Sequence, residues 1–194
     1  MTIFGFRLGS KSIAVSAVNP LPITAGSGEA HVGQVGAAAK TVRVEKTRPA
    51  DANAYSAFDA IAESDTVGTI WTFAVGRIVT GSGVIVGAQI ATDHAANTAI
   101  LELDLYDASI TAINDNAEAT RLYANQGKFL GTIIFPSLAK KTTNSTQAEA
   151  DAGRLNIPFA CVGNSSVYGI LRTPAGFTPT SGSKYTVTML VLQD

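Results

Sequence analysis

One cysteine and two histidines leave this chain short of the side chains from which most enzyme and metal chemistry is built. With Cys161 alone there is no intramolecular disulfide framework, so non-covalent packing must hold the fold. Cys161 lies in the apolar run Ile157-Pro158-Phe159-Ala160-Cys161-Val162, which points to a small buried hydrophobe, not a reactive thiol. His31 and His94 are too few for a multi-histidine zinc site. Charge is scarce as well: 15% of residues are charged, against roughly 25% in an average globular protein. Fourteen basic and fifteen acidic residues give a net charge of −1, with no basic footprint for nucleic acid and no polybasic membrane signal. No window approaches the roughly 18 apolar residues of a membrane-spanning helix. Met1-Thr2-Ile3-Phe4-Gly5-Phe6-Arg7 lacks the charged start and long apolar stretch of a signal peptide.

What the chain does have is a change of texture near Lys40. Residues 1–39 are rich in Gly, Ala and Ser, contain Pro20 and Pro22, and show no sustained amphipathic period. From Thr41 onward come short apolar stretches rich in β-branched residues, separated by turn formers. The division predicts an extended N-terminal arm over 1–39 and a β-domain over 40–194, large enough for a conventional core. Eight strands are expected: Thr41–Thr47, Thr69–Val75, Gly83–Ala91, Thr98–Tyr106, Lys128–Phe135, Leu155–Val162, Val167–Arg172 and Tyr185–Leu192. In the clearest of them, Ala99, Leu101, Leu103 and Leu105 face the core, and Ile100, Glu102, Asp104 and Tyr106 share the other face. Helical patterning is confined to a turn or two at Asn114–Tyr123 and Tyr55–Ala62. Eight strands with long connections at 107–127 and 140–153 favour an all-β, two-sheet jelly-roll sandwich over a hairpin barrel or an immunoglobulin-like fold.

The chemically suggestive residues reduce to structural ones. Asp93 and His94 are adjacent, and neighbours on a strand point to opposite faces, so they make a poor catalytic dyad. Gly81-Ser82-Gly83 and Ser181-Gly182-Ser183 are turns, not a Gly-x-Ser-x-Gly nucleophile elbow. Glu102, Asp104, Asp107 and Asp115 could supply oxygen ligands to Ca²⁺, but their spacing matches no calcium loop, and a solvated strand face is the simpler reading. Trp71, Phe73 and Tyr106 could line a sugar platform, though core or inter-subunit packing is favoured. No catalytic residue, metal ion or cofactor is therefore assigned, and a non-enzymatic role is expected.

Several short pieces carry a family resemblance: Asn19-Pro20-Leu21-Pro22-Ile23, Gly28–Gly36, Thr47-Arg48-Pro49-Ala50-Asp51, Tyr55–Ile61, Gly81–Val86, Leu103–Tyr106, Ala112–Ala117 and Tyr168–Leu171. Together they resemble the capsid decoration (cement or auxiliary) proteins of tailed bacteriophages, over most of the chain. The resemblance implies a virion structural protein with a jelly-roll body, seated as a homo-oligomer, often a trimer, on the major capsid protein at the outer capsid surface. Head-fibre or tail-appendage modules that bind a receptor or glycan are the alternative, and a β-sandwich hydrolase is the third.

The leader has its own physical logic. Pro20 and Pro22 hold Asn19 and Leu21 extended, while Ile3, Phe4, Phe6 and Leu8 place apolar side chains where a free tail avoids them. With Pro20, Leu21, Pro22, Ile23, His31, Val32 and Val35 they form the expected contact set for a capsid subunit or a sister chain; the alternative is a strand added to the body's own sheet. Repeated arms on one oligomer compensate the ordering cost through avidity. Removing residues 1–39 is expected to leave a folded body that no longer attaches.

Overall fold

The computed structural model describes residues 5–8, 11–14, 38–141 and 147–194. The chain divides into two compact units, Met1–Gly36 and Ala37–Asp194. In the first, strands β1 (Gly5–Leu8) and β2 (Lys11–Ala14) pair antiparallel, Phe6 opposite Ile13 and Leu8 opposite Lys11. The stretch around Pro20 and Pro22 that was expected to be extended lies outside the described residues.

The second unit is a jelly-roll sandwich. Its strands are β3 (Ala38–Thr47), β4 (Trp71–Phe73), β5 (Ser82–Thr92), β6 (Leu101–Tyr106), β7 (Phe129–Phe135), β8 (Ala139–Lys140), β9 (Ala148–Ala160), β10 (Val167–Arg172) and β11 (Lys184–Gln193). They form a four-stranded sheet in the order β4-β10-β6-β7 and a five-stranded sheet in the order β3-β11-β5-β9-β8, antiparallel throughout. The pairs β3/β11, β4/β10, β5/β9 and β6/β7 are successive rungs of one long hairpin, wound so that alternate rungs fall in opposite sheets. This nesting is the double Greek key of a jelly roll.

Period-two alternation explains the core. Tyr185, Val187, Met189 and Val191 of β11, Leu101, Leu103 and Leu105 of β6, and Ile133 and Phe135 of β7 are all fully buried between the sheets. Trp71, Phe73, Ile85, Ile90 and Leu171 join them in one cluster. Each such side chain is worth about 1.5–3 kcal/mol when buried, which is how a chain without cross-links holds two sheets face to face. Gly83 shows how tight the packing is. A Cβ there would lie 2.3 Å from the Leu192 carbonyl oxygen and 2.9 Å from the Phe159 ring.

The sandwich departs from expectation in four places. It starts at Ala38, so a cut after residue 39 would clip β3. Strand β9 begins at Ala148, seven residues before the apolar signal, because Gly153 at φ +74° and register shifts beside Gly87 bulge a strand whose first half is small and charged. Neither Asn114–Tyr123 nor Tyr55–Ala62 is helical; a 3₁₀ turn at Tyr123–Lys128 follows instead. Finally, the 107–127 connection does not cross between sheets. It joins β6 to its neighbour β7 and folds over their outer face.

Candidate functional site

The two outer faces of the sandwich are treated differently. Over the four-stranded sheet, the β3–β4 and β6–β7 connections bond to one another: Ala60 N donates to Ala117 O (2.8 Å), Ala119 N to Phe58 O (2.8 Å) and Asp115 N to Ser64 O (2.7 Å). Beneath them Ala60, Ala119, Tyr106 and Ile170 form a second apolar cluster, with Ile110, Ile113, Phe129 and Tyr168 packed against it.

A buried polar knot fastens these connections. The Arg48 side chain is fully enclosed and donates to Tyr55 Oη (3.0 Å), Asp51 Oδ1 (2.9 Å) and Asp115 Oδ2 (3.3 Å). Asp115 Oδ1 also accepts from Tyr55 Oη (2.7 Å) and Ala62 N (2.8 Å). Burial pushes the Asp115 carboxyl above its usual range, against these bonds. The Asn53 N–H and the Arg48 guanidinium hold that of Asp51 below it.

The strand face expected to be solvated is occupied too. Asp104 is 2% exposed. It is paired with Arg121 at 2.6 Å, accepts from Thr132 Oγ1 at 2.5 Å, and stands 3.7 Å from Arg172, which itself pairs with Glu102 at 2.8 Å. Arg121 stacks over Phe129 (4.2 Å) and Arg172 over Phe58 (5.6 Å). Glu102 and Asp104 thus serve two arginines, while Asp115 serves a third. Among the described residues no three His, Cys, Asp or Glu side chains gather around a possible metal position, so the four carboxylates weighed for Ca²⁺ do not converge.

Among the described residues of the second unit, no connection covers the outer face of the five-stranded sheet. Half of that face is polar and internally satisfied. Lys184 pairs with Glu45 (3.2 Å), Arg43 Nε donates to Thr188 Oγ1 (3.4 Å), and Gln89 Nε2 donates to Glu149 Oε2 (3.4 Å). A shallow groove of about 480 Å³ opens where β5 and β11 lose register, lined by Gly87, Gln89, Gly153, Thr188 and Leu190. The other half is apolar: the register aligns Ala39, Leu192, Val84 and Pro158 in one row across four strands, with exposed Leu190 beside it. This row lies at the end of the sheet where β3 begins, one residue from its start at Ala38.

Two further features matter. The β4–β5 connection ends in the turn Ile78-Val79-Thr80-Gly81, closed by Gly81 N donating to Ile78 O (3.0 Å). Ile78 is 67% and Val79 62% exposed. Thr80 sits at φ +59°, in a turn position that favours Gly or Asn. The β6–β7 connection, in turn, roofs a cleft of about 180 Å³ between Ile110, Ile113, Ala119, Leu122, Tyr106 and Ile170.

The remaining sequence candidates sort as follows. Of the arm set, Phe6 and Leu8 lie on β1; Ile3, Phe4, Pro20, Leu21, Pro22, Ile23, His31, Val32 and Val35 fall outside the described residues. Trp71 (1%), Phe73 (0%) and Tyr106 (3%) are enclosed, so they form no exposed sugar platform. Asp93 Oδ1 accepts from Lys184 N (2.9 Å) at the sandwich end, while His94 Nδ1 is buried without a hydrogen-bond partner and burial lowers that imidazole's pKa. Cys161 is buried, which raises its thiol pKa. Among the described residues no helix is long and apolar enough to cross a membrane. The apolar row, the exposed turn and the cleft were not singled out by sequence reasoning. The dipeptide Ile78-Val79 between Gly76 and Gly81 was the available signal.

No protein-family model matches the chain, and no curated protein matches it. Among solved structures, a chain of "Structure of infectious bursal disease virus Gt strain" aligns at 12% identity with a TM-score of 0.17, over 97% of this chain and 48% of that one. The chain therefore spans about half the length of that protein, and so loose a superposition carries no argument for fold or function.

Proposed function

We propose that the protein is a non-enzymatic virion component that decorates the outer surface of a bacteriophage capsid as an oligomer and stabilises the shell, using its leader and the bare sheet face for attachment. The carrying observation is the unequal treatment of the two outer faces. One is sealed by the chain's own connections, and the other keeps an apolar row beside the start of β3. The low charge supports the same reading, as does the sequence resemblance to decoration proteins. Mechanically, such a protein works by burying apolar and backbone surface across boundaries between capsid subunits.

The test is addition of the full chain to capsids lacking it, with imaging and a copy count per particle. Decoration predicts many symmetric copies, and an appendage only a few. Leu190→Asp with Leu192→Asp is expected to weaken attachment without altering the fold, since both side chains are already exposed. Removing residues 1–36, which spares β3, is expected to abolish it. Undiminished binding by both variants would overturn the reading.

A further inference from the structure

Among the described residues the longest edge strand is β3. It stands at the end of the five-stranded sheet, paired with β11 on one side only, and its register runs unbroken from Ala38 to Thr47. At the opposite end the sheet closes on β8, Ala139–Lys140, a very short strand of the kind that blunts an edge. β3 has neither proline nor bulge, so on its open side it presents a regular row of N–H and C=O groups with no strand opposite among the described residues. Inward-pointing lysines can guard such an edge, but those of β3 are engaged within their own copy. Lys40 Nζ donates to Ala74 O (2.6 Å), and Lys46 Nζ pairs with Glu63 (2.6 Å) beside the Trp71 ring.

The exposed side chains of β3 select the strand that fits. Thr41, Arg43, Glu45 and Thr47 alternate on its outer face. Residues directly opposite in an antiparallel pair share a face, so two copies of β3 can meet only in registers that differ by steps of two residues. With Val44 opposite Val44, each Arg43 faces the second copy's Glu45, and each Thr41 faces the second copy's Thr47. Opposite charges and Thr–Thr pairs are favourable cross-strand neighbours. The next register on one side sets Arg43 against Arg43, and on the other Glu45 against Glu45. The order Arg43-Val44-Glu45 is therefore complementary to itself about a two-fold axis, and no other register pairs these unlike charges. Both charges are within reach of a partner. Arg43 Nε donates to Thr188 Oγ1 (3.4 Å), which leaves its terminal NH₂ groups without a partner among the described residues. Glu45 pairs with Lys184 (3.2 Å), and both side chains are half-exposed.

We propose that β3 of one copy pairs antiparallel with β3 of a second copy about a two-fold axis at Val44, with Arg43 opposite Glu45 across it. The contact is isologous and joins the two five-stranded sheets into one continuous sheet. Main-chain hydrogen bonds supply the binding, and the two charge pairs set the register. The contact involves this chain alone, leaves the outer sheet face open, and stands whether or not a capsid is the target.

Sedimentation of the full chain tests it by charge reversal, using Arg43→Glu, Glu45→Arg and the two together. Both positions are exposed, so circular dichroism should match the parent. The parent is expected to form a dimer or an even multiple of one. Each single reversal puts two like-charge pairs into the contact and should weaken association at least about tenfold. The double reversal restores both unlike pairs and should associate like the parent, as should an equimolar mixture of the two single variants. A parent that is monomeric or purely trimeric, single variants that associate like the parent, or a double reversal that stays weak would each overturn the proposal.

Discussion

Replacing Asp115 with Ala should be the most damaging single change at the periphery of the fold. The side chain accepts from Arg48 at 3.3 Å, Tyr55 at 2.7 Å and Ala62 N at 2.8 Å, in a site where Arg48 is fully enclosed. Breaking a buried ion pair from one side costs about 3–5 kcal/mol, because the remaining charge stays in a poor solvent. Arg48 retains Asp51, whose side chain is 29% exposed, and that places the ionic part at the lower end. The stranded Tyr55 hydroxyl and Ala62 N–H add about 1–3 kcal/mol each when nothing replaces their acceptor. A total of about 5 kcal/mol, the low end of these ranges, is expected after partial relaxation, or a fall of roughly 10–20 °C in Tm for a domain of this size. Asp115→Asn keeps one oxygen for Tyr55 and Ala62 but still breaks the ion pair, so only the ionic part, about 3 kcal/mol, is expected. Urea unfolding followed by Trp71 fluorescence is the natural assay. Trp71 is the chain's only tryptophan, is 1% exposed, and its Nε1 donates to Ile61 O in the clamped connection. A loss below about 1 kcal/mol for Ala, or equal losses for Ala and Asn, would refute the view that the knot fastens the loops.

Gly83→Ala should destabilise by about 1–3 kcal/mol through overpacking, whereas Gly127→Ala, where a Cβ meets nothing within 4 Å, should leave the urea midpoint unchanged. For His94 the sign follows from burial, which holds its folded-state pKa below the usual 6.5. The stabilisation it contributes is present above pH 6.5 and is lost as pH falls through the folded-state value. A plot of Tm against pH, in the interval from 6.5 down to that folded-state value, should therefore be shallower for His94→Gln than for the parent.

The jelly roll could be read in the sequence as far as alternation carries it. Leu101, Leu103 and Leu105 announce a strand because each is separated by a polar residue, and all three are buried between the sheets. Alternation identifies two faces but says nothing of what lies over the second, so Asp104 read as solvated until the β6–β7 connection placed Arg121 upon it. Similarly, Asn114–Tyr123 has helix-compatible composition, yet its backbone is claimed by Phe58, Ala60 and Ser64 across the fold. The start of β9 was hidden because Ala148–Gly153 is small and charged, and pairing with β5 and β8 makes it a strand. The apolar row is beyond any local pattern. Ala39, Val84, Pro158 and Leu192 meet only through registers that join distant segments.

The nesting of β3 against β11 also sets the order in which the protein can be made. β11 is the last jelly-roll strand to leave a ribosome, yet it lies in the interior of its sheet, between β3 and β5. Until it emerges, β3 has no partner within the jelly roll, and both strands that will flank β11 present open edges to other nascent chains. A chain stopped anywhere before Lys184 therefore lacks the strand that joins β3 to the rest of the sheet.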